Sequence, residues 1–275
     1  MSPDRPGPPV AAVTFDLDDT LFTQAEWLAG AWDAVADAAP GGVDRVALRA
    51  ALDRVAAEGS DRGAIVDRAL AAVGHPDVAV GPLVDAFHRH RPARLTVRPG
   101  ATDALARLRA RVPVGLVSDG DVGVQLAKLR ALGLDDAFDV VVLSDRFGRA
   151  HRKPSSLPFR VALGALGAPA ARSVHVGDRP AKDVLGAWRT GMAAVRVRTG
   201  EYATEPDPEP VGDAPLTVAD DVVAAIGCIE RWIERTDRTD RTDRTARIDR
   251  SARIDRTARN DRTARTDRGR TSCPT

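Results

Sequence analysis

The sequence predicts an α/β protein: a doubly wound parallel sheet with an inserted α-helical segment and a disordered C-terminal tail. Three observations carry this. Short apolar strand-like runs alternate with amphipathic helical stretches from residue 101 to about 198. The segment from 24 to 91 has helical periodicity and no strand pattern. From Arg235 to Arg268 every third residue is arginine, with Asp, Ala and Thr between.

The elements follow in order. "VAAVTF" (10–15) is an apolar run ending directly in carboxylates, as a buried central strand delivering a loop would read. Next, "QAEWLAGAWDAVADAA" sets Trp27, Ala31, Val35 and Ala38 on one helical face, and three more alanine-rich segments follow between glycine breaks. Ala101, Leu105, Leu108 and Val112 mark another helix, and "VPVGLVSDG" a second strand. A helix near Asp121, the strand "FDVVVLSD", a helix over 155–167, the strand "SVHVGD", a helix over 180–190 and the strand "AAVRVRT" complete the alternation. Such alternation predicts a parallel sheet covered on both faces. Residues 203–215 are acidic and proline-rich, an exposed loop. Val218, Val222, Ile226, Ile229 and Ile233 then predict a last helix ending near 234.

Composition bounds the function. Apolar residues make up 43% of the 275, enough for a core, although aromatics reach only 4%. The formal charge of +1 hides a division: 13 Arg and 7 Asp lie from Arg235 onward, leaving 27 basic and 32 acidic residues before it. The folded part is thus mildly acidic and offers no field for nucleic acid. The tail has almost no apolar side chains to offset an ordering entropy of roughly 1–2 kcal/mol per residue. Its interleaved aspartates and lack of aromatics argue against an RNA-binding arm. Cys228 and Cys273 have no metal or disulfide spacing. "MSPDRPGPPV" has no signal-like apolar stretch, and no run approaches the ~18 apolar residues of a membrane span, so a cytoplasmic location is expected.

The chemistry lies at the strand ends. Asp16, Asp18 and Asp19 follow the first strand, and carboxylates so close repel unless a cation compensates them. Magnesium, which accepts one or two carboxylates plus phosphate oxygens, suits such a site and would recruit an acid from another strand end. Asp178, directly after Gly177, stands to its strand as Asp16 does to its own. In open parallel sheets ligands bind beyond the carboxyl ends of the strands, where both acids can meet. Ser118, Asp119 and Gly120 end the second strand with a hydroxyl and approachable backbone N–H groups for a phosphate oxygen. Lys153, one of three lysines, places a compact ammonium after the next strand. Alternation puts Asp16 and Asp18 on one side, and Asp19 away as a solvated or loop-capping acid.

These stretches, "DLDDT", Ser118, Lys153 before proline, and "GDRPAKD", resemble the haloacid dehalogenase-like superfamily in its phosphatase branch, across residues 10 to about 198. The resemblance implies a Rossmann-like core (10–22 and 96–234), a small helical cap (23–95) and a tail (235–275). It implies a magnesium-dependent hydrolase of a small phosphorylated metabolite. Asp16 would be the nucleophile that becomes an aspartyl-phosphate, and Asp18 the general acid and then base. Ser118 and Lys153 would hold the phosphoryl group, with Asp119 and Gly120 beside the substrate. Magnesium would take the carboxylates of Asp16 and Asp178 and the backbone carbonyl of Asp18, with Asp183 in support. Family dehalogenases place tyrosine where this chain has Asp18, which argues against dehalogenation. Mutases commonly carry glycine where this chain has Asp19, which leans toward hydrolysis over the alternative, a phosphotransferase or mutase. A binding protein working through its arginine-rich tail is the alternative from another class. "SDG" stands where threonine-asparagine-glycine is usual, adding Asp119 beside an anion site. That side chain is expected to turn outward or to influence the leaving group.

In the cap, Trp27 and Trp32 read as core, and "FHRHR" (87–91), with Phe87, His88 and His90, as a solvated helix end, against substrate-reading roles for each. Phe22 and Thr23 would line the entrance, while His151 and His175 read as structural. The sequence leaves the oligomeric state and the substrate's identity open.

Overall fold

A computed structural model describes residues 9–59, 63–209, 215–236 and 238. Residues 10–230 make one compact unit. In it, β1 (Ala12–Phe15) leads into four helices, α1 (Gln24–Asp37), α2 (Arg45–Ala56), α3 (Ile65–Ala72) and α4 (Gly81–Arg89). Then come α5 (Ala101–Arg109), β2 (Val114–Ser118), α6 (Val122–Leu132), β3 (Val140–Leu143), α7 (Ser156–Leu166), β4 (Ser173–Gly177), α8 (Leu185–Thr190), β5 (Ala193–Val197) and β6 (Leu216–Ala219). A last helix starts at residue 222.

The six strands form one sheet in the order β3-β2-β1-β4-β5-β6, every pair parallel. β1, β2 and β4 are buried at each residue, which is why their sequences are apolar runs rather than alternating ones. Register places Phe15 opposite both Leu116 and Val176, so three central strands end at nearly one level. The strand order reverses between β1 and β4, and such a switch point opens a crevice at the strands' carboxyl ends.

Helix boundaries follow local chemistry. The side chains of Asp44, Asp121 and Ser155 accept hydrogen bonds from the first turns of α2, α6 and α7. Gly133, at φ 66°, closes α6 in a left-handed turn that a Cβ would disfavour. α7 and α8 share a cluster built on Phe159, Leu163 and Trp188 with Val117, Val142 and Ala194 of the sheet. α1 to α4 bury a cluster of their own around Leu48, Leu52, Leu70 and Trp32. Among the described residues no helix is long and apolar enough to cross a membrane.

Three expectations need correction. Ala38 is exposed, and the buried face of α1 is Trp27, Ala31, Trp32, Val35 and Ala36. Val218 belongs to the edge strand β6, where it is exposed, and not to the last helix. Its spacing from Val222 matched a helical turn by coincidence, because β6 is only four residues long. Helical residues also continue to 236, past the expected end near 234. The remainder of the tail, apart from residue 238, lies outside the described residues.

One buried ion pair fixes the loop after β5. Arg196 is fully buried in that strand, and its Nη1 donates to Asp207 Oδ1 at 2.5 Å while Nη2 donates to the Tyr202 carbonyl at 2.7 Å. Asp207→Ala would leave a buried guanidinium without its counter-charge, and the expected cost is about 2–3 kcal/mol, read from the urea midpoint. A loss below about 0.5 kcal/mol would show that water reaches Arg196 instead.

Candidate active site

Asp16 leaves β1 with its backbone N–H donating to the Val176 carbonyl at 2.9 Å, so the strand pairing itself aims the carboxylate into the crevice. From the loop after β3, Lys153 Nζ reaches across to donate to Asp16 Oδ1 at 2.5 Å, Asp183 Oδ1 at 2.6 Å and the Val117 carbonyl at 3.2 Å. One ammonium therefore touches groups from three elements besides its own loop. Asp183 stands on a π turn, Pro180–Val184, and the Arg179 backbone N–H donates to its Oδ2 at 2.9 Å. A Cβ on Gly177 would come within 2.3 Å of the Asp183 carboxyl carbon, so only glycine lets this acid lie against β4. Asp178 accepts from Thr20 Oγ1 at 3.3 Å. Carboxylate oxygens of Asp16, Asp178 and Asp183 all lie within 4.8 Å of one another.

The electrostatics show a shortage of positive charge. Burial pushes Asp16 up to about 7, against the pull of Lys153 and with the help of Asp183 and Asp18. Burial likewise lifts Asp178 well above the usual carboxylate range, reinforced by Asp183, Asp16 and Asp19. Burial works against ionisation of Asp183 too, but Lys153 and His175 outweigh it and hold this carboxyl below its ordinary value. For Lys153, burial opposes the charge while Asp16, Asp183 and Asp119 overcome it and raise the pKa. The Lys153 ammonium bonds Asp16 and Asp183, Arg179 pulls only weakly against the burial of Asp178, and Asp16 and Asp178 remain under-compensated. A divalent cation fits that deficit and this all-oxygen donor set.

His175 is more than a buried strand residue. Its Nε2 lies 3.3 Å from Asp183 Oδ1 and its Nδ1 2.9 Å from Thr14 Oγ1. A carboxylate can only accept, so Nε2 carries the proton and Nδ1 accepts from the threonine hydroxyl. Burial lowers the His175 pKa, keeping the ring neutral.

Asp18 occupies a different part of the crevice. Lys128 Nζ donates to its Oδ1 at 2.6 Å and Gln125 Nε2 to its Oδ2 at 2.8 Å, both from one face of α6. The same Gln125 nitrogen lies 2.7 Å from Ser118 Oγ. Lys128 is itself buried, 4.4 Å from the Trp27 ring centroid and 5.9 Å from that of Phe22. Asp19, in the left-handed conformation at φ 56°, is buried, so its solvated reading fails and its capping one holds: Oδ1 accepts from the Gln24 backbone N–H at 3.0 Å. Gly200 packs so closely on it that a Cβ there would meet its side chain at 2.2 Å. Asp119 does not turn outward. Its Oδ1 accepts from Ser144 Oγ at 2.6 Å and the Lys153 backbone N–H at 3.1 Å, tying β2 to the loop after β3.

A cavity of about 290 Å³ joins these parts. Asp16, Asp18, Ser118, Asp119, Gly120, Lys153 and Asp178 line it, while Asp183 stands behind them. Its far wall comes from the helical segment, through Trp27, Leu28, Trp32, Ile65, Phe87 and His88. Phe22 is fully buried and Thr23 exposed at the start of α1, and neither lines the cavity. His90 meets Trp27 edge-on, and His151 is exposed. The sequence reading missed Thr20, Gln125, Lys128, Gly177 and Tyr202. A signal for Lys128 existed: the chain's three lysines all line this one cavity.

A family model described as haloacid dehalogenase-like hydrolase matches residues 10–189. The chain belongs to this family. Curated relatives of this hydrolase include phosphatases. A glyceraldehyde 3-phosphate phosphatase from Methanopyrus kandleri is 33% identical over 74% of this chain and 89% of its own length. The Methanocaldococcus jannaschii enzyme of that name is 30% identical over 73% and 90%. A phosphoglycolate phosphatase from Rhodospirillum rubrum is 35% identical over 71% and 82%. Among solved structures, a 2-haloacid dehalogenase from Pseudomonas syringae superposes with a TM-score of 0.54 at 25% identity, over 81% of this chain and 99% of that one. This hydrolase is thus an enzyme of the family's phosphatase branch, and its Asp18 stands where the resemblance gives dehalogenases a tyrosine.

The raised carboxyls carry a prediction. Asp16 and Asp178 bind protons more tightly folded than unfolded, so their contribution to stability is complete below about pH 4 and is lost as pH rises, for Asp16 through about 7. A cation bound by these carboxylates would replace those protons. The rise in melting temperature on adding magnesium is therefore expected to be larger at about pH 8 than at about pH 5. An equal rise at both would count against these carboxylates as its ligands.

Proposed function

We propose that the protein hydrolyses a small phosphomonoester, with magnesium, through an aspartyl-phosphate on Asp16. The observation that carries this reading is the buried Lys153 ammonium set 2.5 Å from Asp16 inside a cluster of three carboxylates at the sheet's switch point. Phosphoryl transfer asks chiefly for positioning and charge neutralisation, which this arrangement supplies.

In this reading Asp16 attacks phosphorus and the bond to the leaving oxygen breaks. Asp18, in its proton-bearing form, gives that oxygen its proton, then takes one from the water that attacks the acyl phosphate and frees Asp16 with inorganic phosphate. Lys153 and Ser118 hold phosphoryl oxygens throughout, and the Asp119 and Gly120 backbone borders the substrate. Magnesium, held by the carboxylates of Asp16 and Asp178 and the Asp18 backbone carbonyl with Asp183 behind, would offset the repulsion between nucleophile and phosphate.

α1 to α4 act here as the cap that selects the leaving group. Three of the cations lining the cavity are already engaged: Lys128 by Asp18, Arg152 by Asp145, Arg179 by the Tyr202 ring. With the apolar wall of Leu28, Ile65 and Phe87, this supports an uncharged leaving group, as in glyceraldehyde 3-phosphate or a nucleoside monophosphate, over phosphoglycolate or phosphoserine.

Phosphate release from such a panel, with and without magnesium, tests the reading. Wild-type protein is expected to release phosphate to water, and Asp16→Asn to lose at least about 10³-fold in kcat. Phosphate appearing on an added alcohol or sugar instead would identify a transferase. Unchanged turnover by Asp16→Asn would sink the mechanism.

A further inference from the structure

One side chain joins the two halves of the crevice. Gln125, 1% exposed, presents the same amide nitrogen to Asp18 Oδ2 at 2.8 Å and Ser118 Oγ at 2.7 Å. Before it takes up the proton it delivers, Asp18 is the carboxylate whose two oxygens accept from Lys128 and Gln125, so the group facing Oδ2 is the NH₂ and not the carbonyl. Turning the amide over would set its oxygen against a carboxylate oxygen. With one N–H spent on Asp18, the other points at Ser118 and makes its Oγ an acceptor. The serine proton is then free to be donated elsewhere. Among the described residues no acceptor takes it, although Ser118 is 1% exposed and lines the cavity beside Asp16.

We infer that Gln125 is a positioning residue for phosphoryl binding, fixing the Ser118 hydroxyl as a donor toward a phosphoryl oxygen. Its link to Asp18 is what sets the polarity: the amide donates to the carboxylate on one side and to the hydroxyl on the other, which leaves the hydroxyl to donate to the phosphate. Lys128 on the other Asp18 oxygen, at 2.6 Å, holds the first member in place. The inference rests on the phosphatase reading for its ligand and adds a residue to it. A merely structural glutamine would tie α6 to β2 with no effect that depends on the serine hydroxyl.

The test is the affinity of the full-length protein for inorganic phosphate, with magnesium, by calorimetry across Gln125→Met, Ser118→Ala and the double variant. Each single change is expected to weaken phosphate about tenfold, and the double change no more than Ser118→Ala alone, because both remove one hydrogen bond. Losses that multiply to about a hundredfold, or full affinity in Gln125→Met, would overturn the inference. Gln125→Glu keeps the shape but accepts the serine proton, and is expected to weaken phosphate at least as much. Full affinity there would also overturn it. Hydrolysis of p-nitrophenyl phosphate by the wild type reports separately: an inert protein that shows the non-additive phosphate pattern would sink the phosphatase reading and support the role of Gln125. A wild type that binds no phosphate would overturn both.

Discussion

The contact on which this molecule turns is the Lys153 ammonium between Asp16 and Asp183, at 2.5 and 2.6 Å. It gathers three separate stretches of chain into a space from which water is largely excluded. Strand order makes this possible. β1 lies between β2 and β4, so Asp16, the Val117 carbonyl and the turn bearing Asp183 converge, and the loop after β3 has only to reach across β2. Without that ammonium Asp16 and Asp183 would face each other uncompensated.

Burying such charges works against stability. Desolvation of an ion costs several kcal/mol, and one lysine cannot recover it for three carboxylates. The fold therefore holds Asp16 and Asp178 in a state of electrostatic need, visible in their raised pKa values, while Asp183 is satisfied by Lys153, His175 and a backbone N–H. The two unsatisfied acids emerge from adjacent central strands that are buried at every residue. The satisfied one stands behind and orients the lysine. Need in front and support behind is how preorganised sites hold a cation and an anionic substrate together.

What could be read from the sequence follows from this division. Asp16, Ser118, Lys153 and Asp178 were legible because each ends or follows an apolar run, and runs of that kind lead to one crevice in any parallel sheet. Contacts set by side-chain direction were not legible. Asp119 sits next to Ser118, but whether it faced solvent or the Lys153 backbone depended on a loop 34 residues away. Gln125 and Lys128 lie in the middle of a helix with no strand end to mark them, and only their three-residue spacing hints at a shared target. β6 was lost for another reason: four residues at a sheet edge, of which only Ala219 is buried, carry too little pattern to outweigh the helical period that follows. Gly177 reads as an ordinary turn glycine, since the carboxylate it makes room for stands six residues later.

The same contacts bear on how the helical segment and the sheet cooperate. Lys128 belongs to α6, beside the sheet, yet its ammonium lies over the ring of Trp27 in α1 while it holds Asp18. Trp27 in turn meets Phe87 edge-on at 4.8 Å, and Phe87 stacks at 4.9 Å on Trp32, with all three rings bordering the cavity. A continuous line of contacts thus runs from the wall that a leaving group would touch to the acid that would protonate it. A shift in how the helices sit against the leaving group would move Trp27, and Trp27 is one of the surfaces that keep Lys128 in place. In the proposed reading, selection of the leaving group and delivery of its proton would then be coupled, because the one buried cation that holds Asp18 also packs on Trp27.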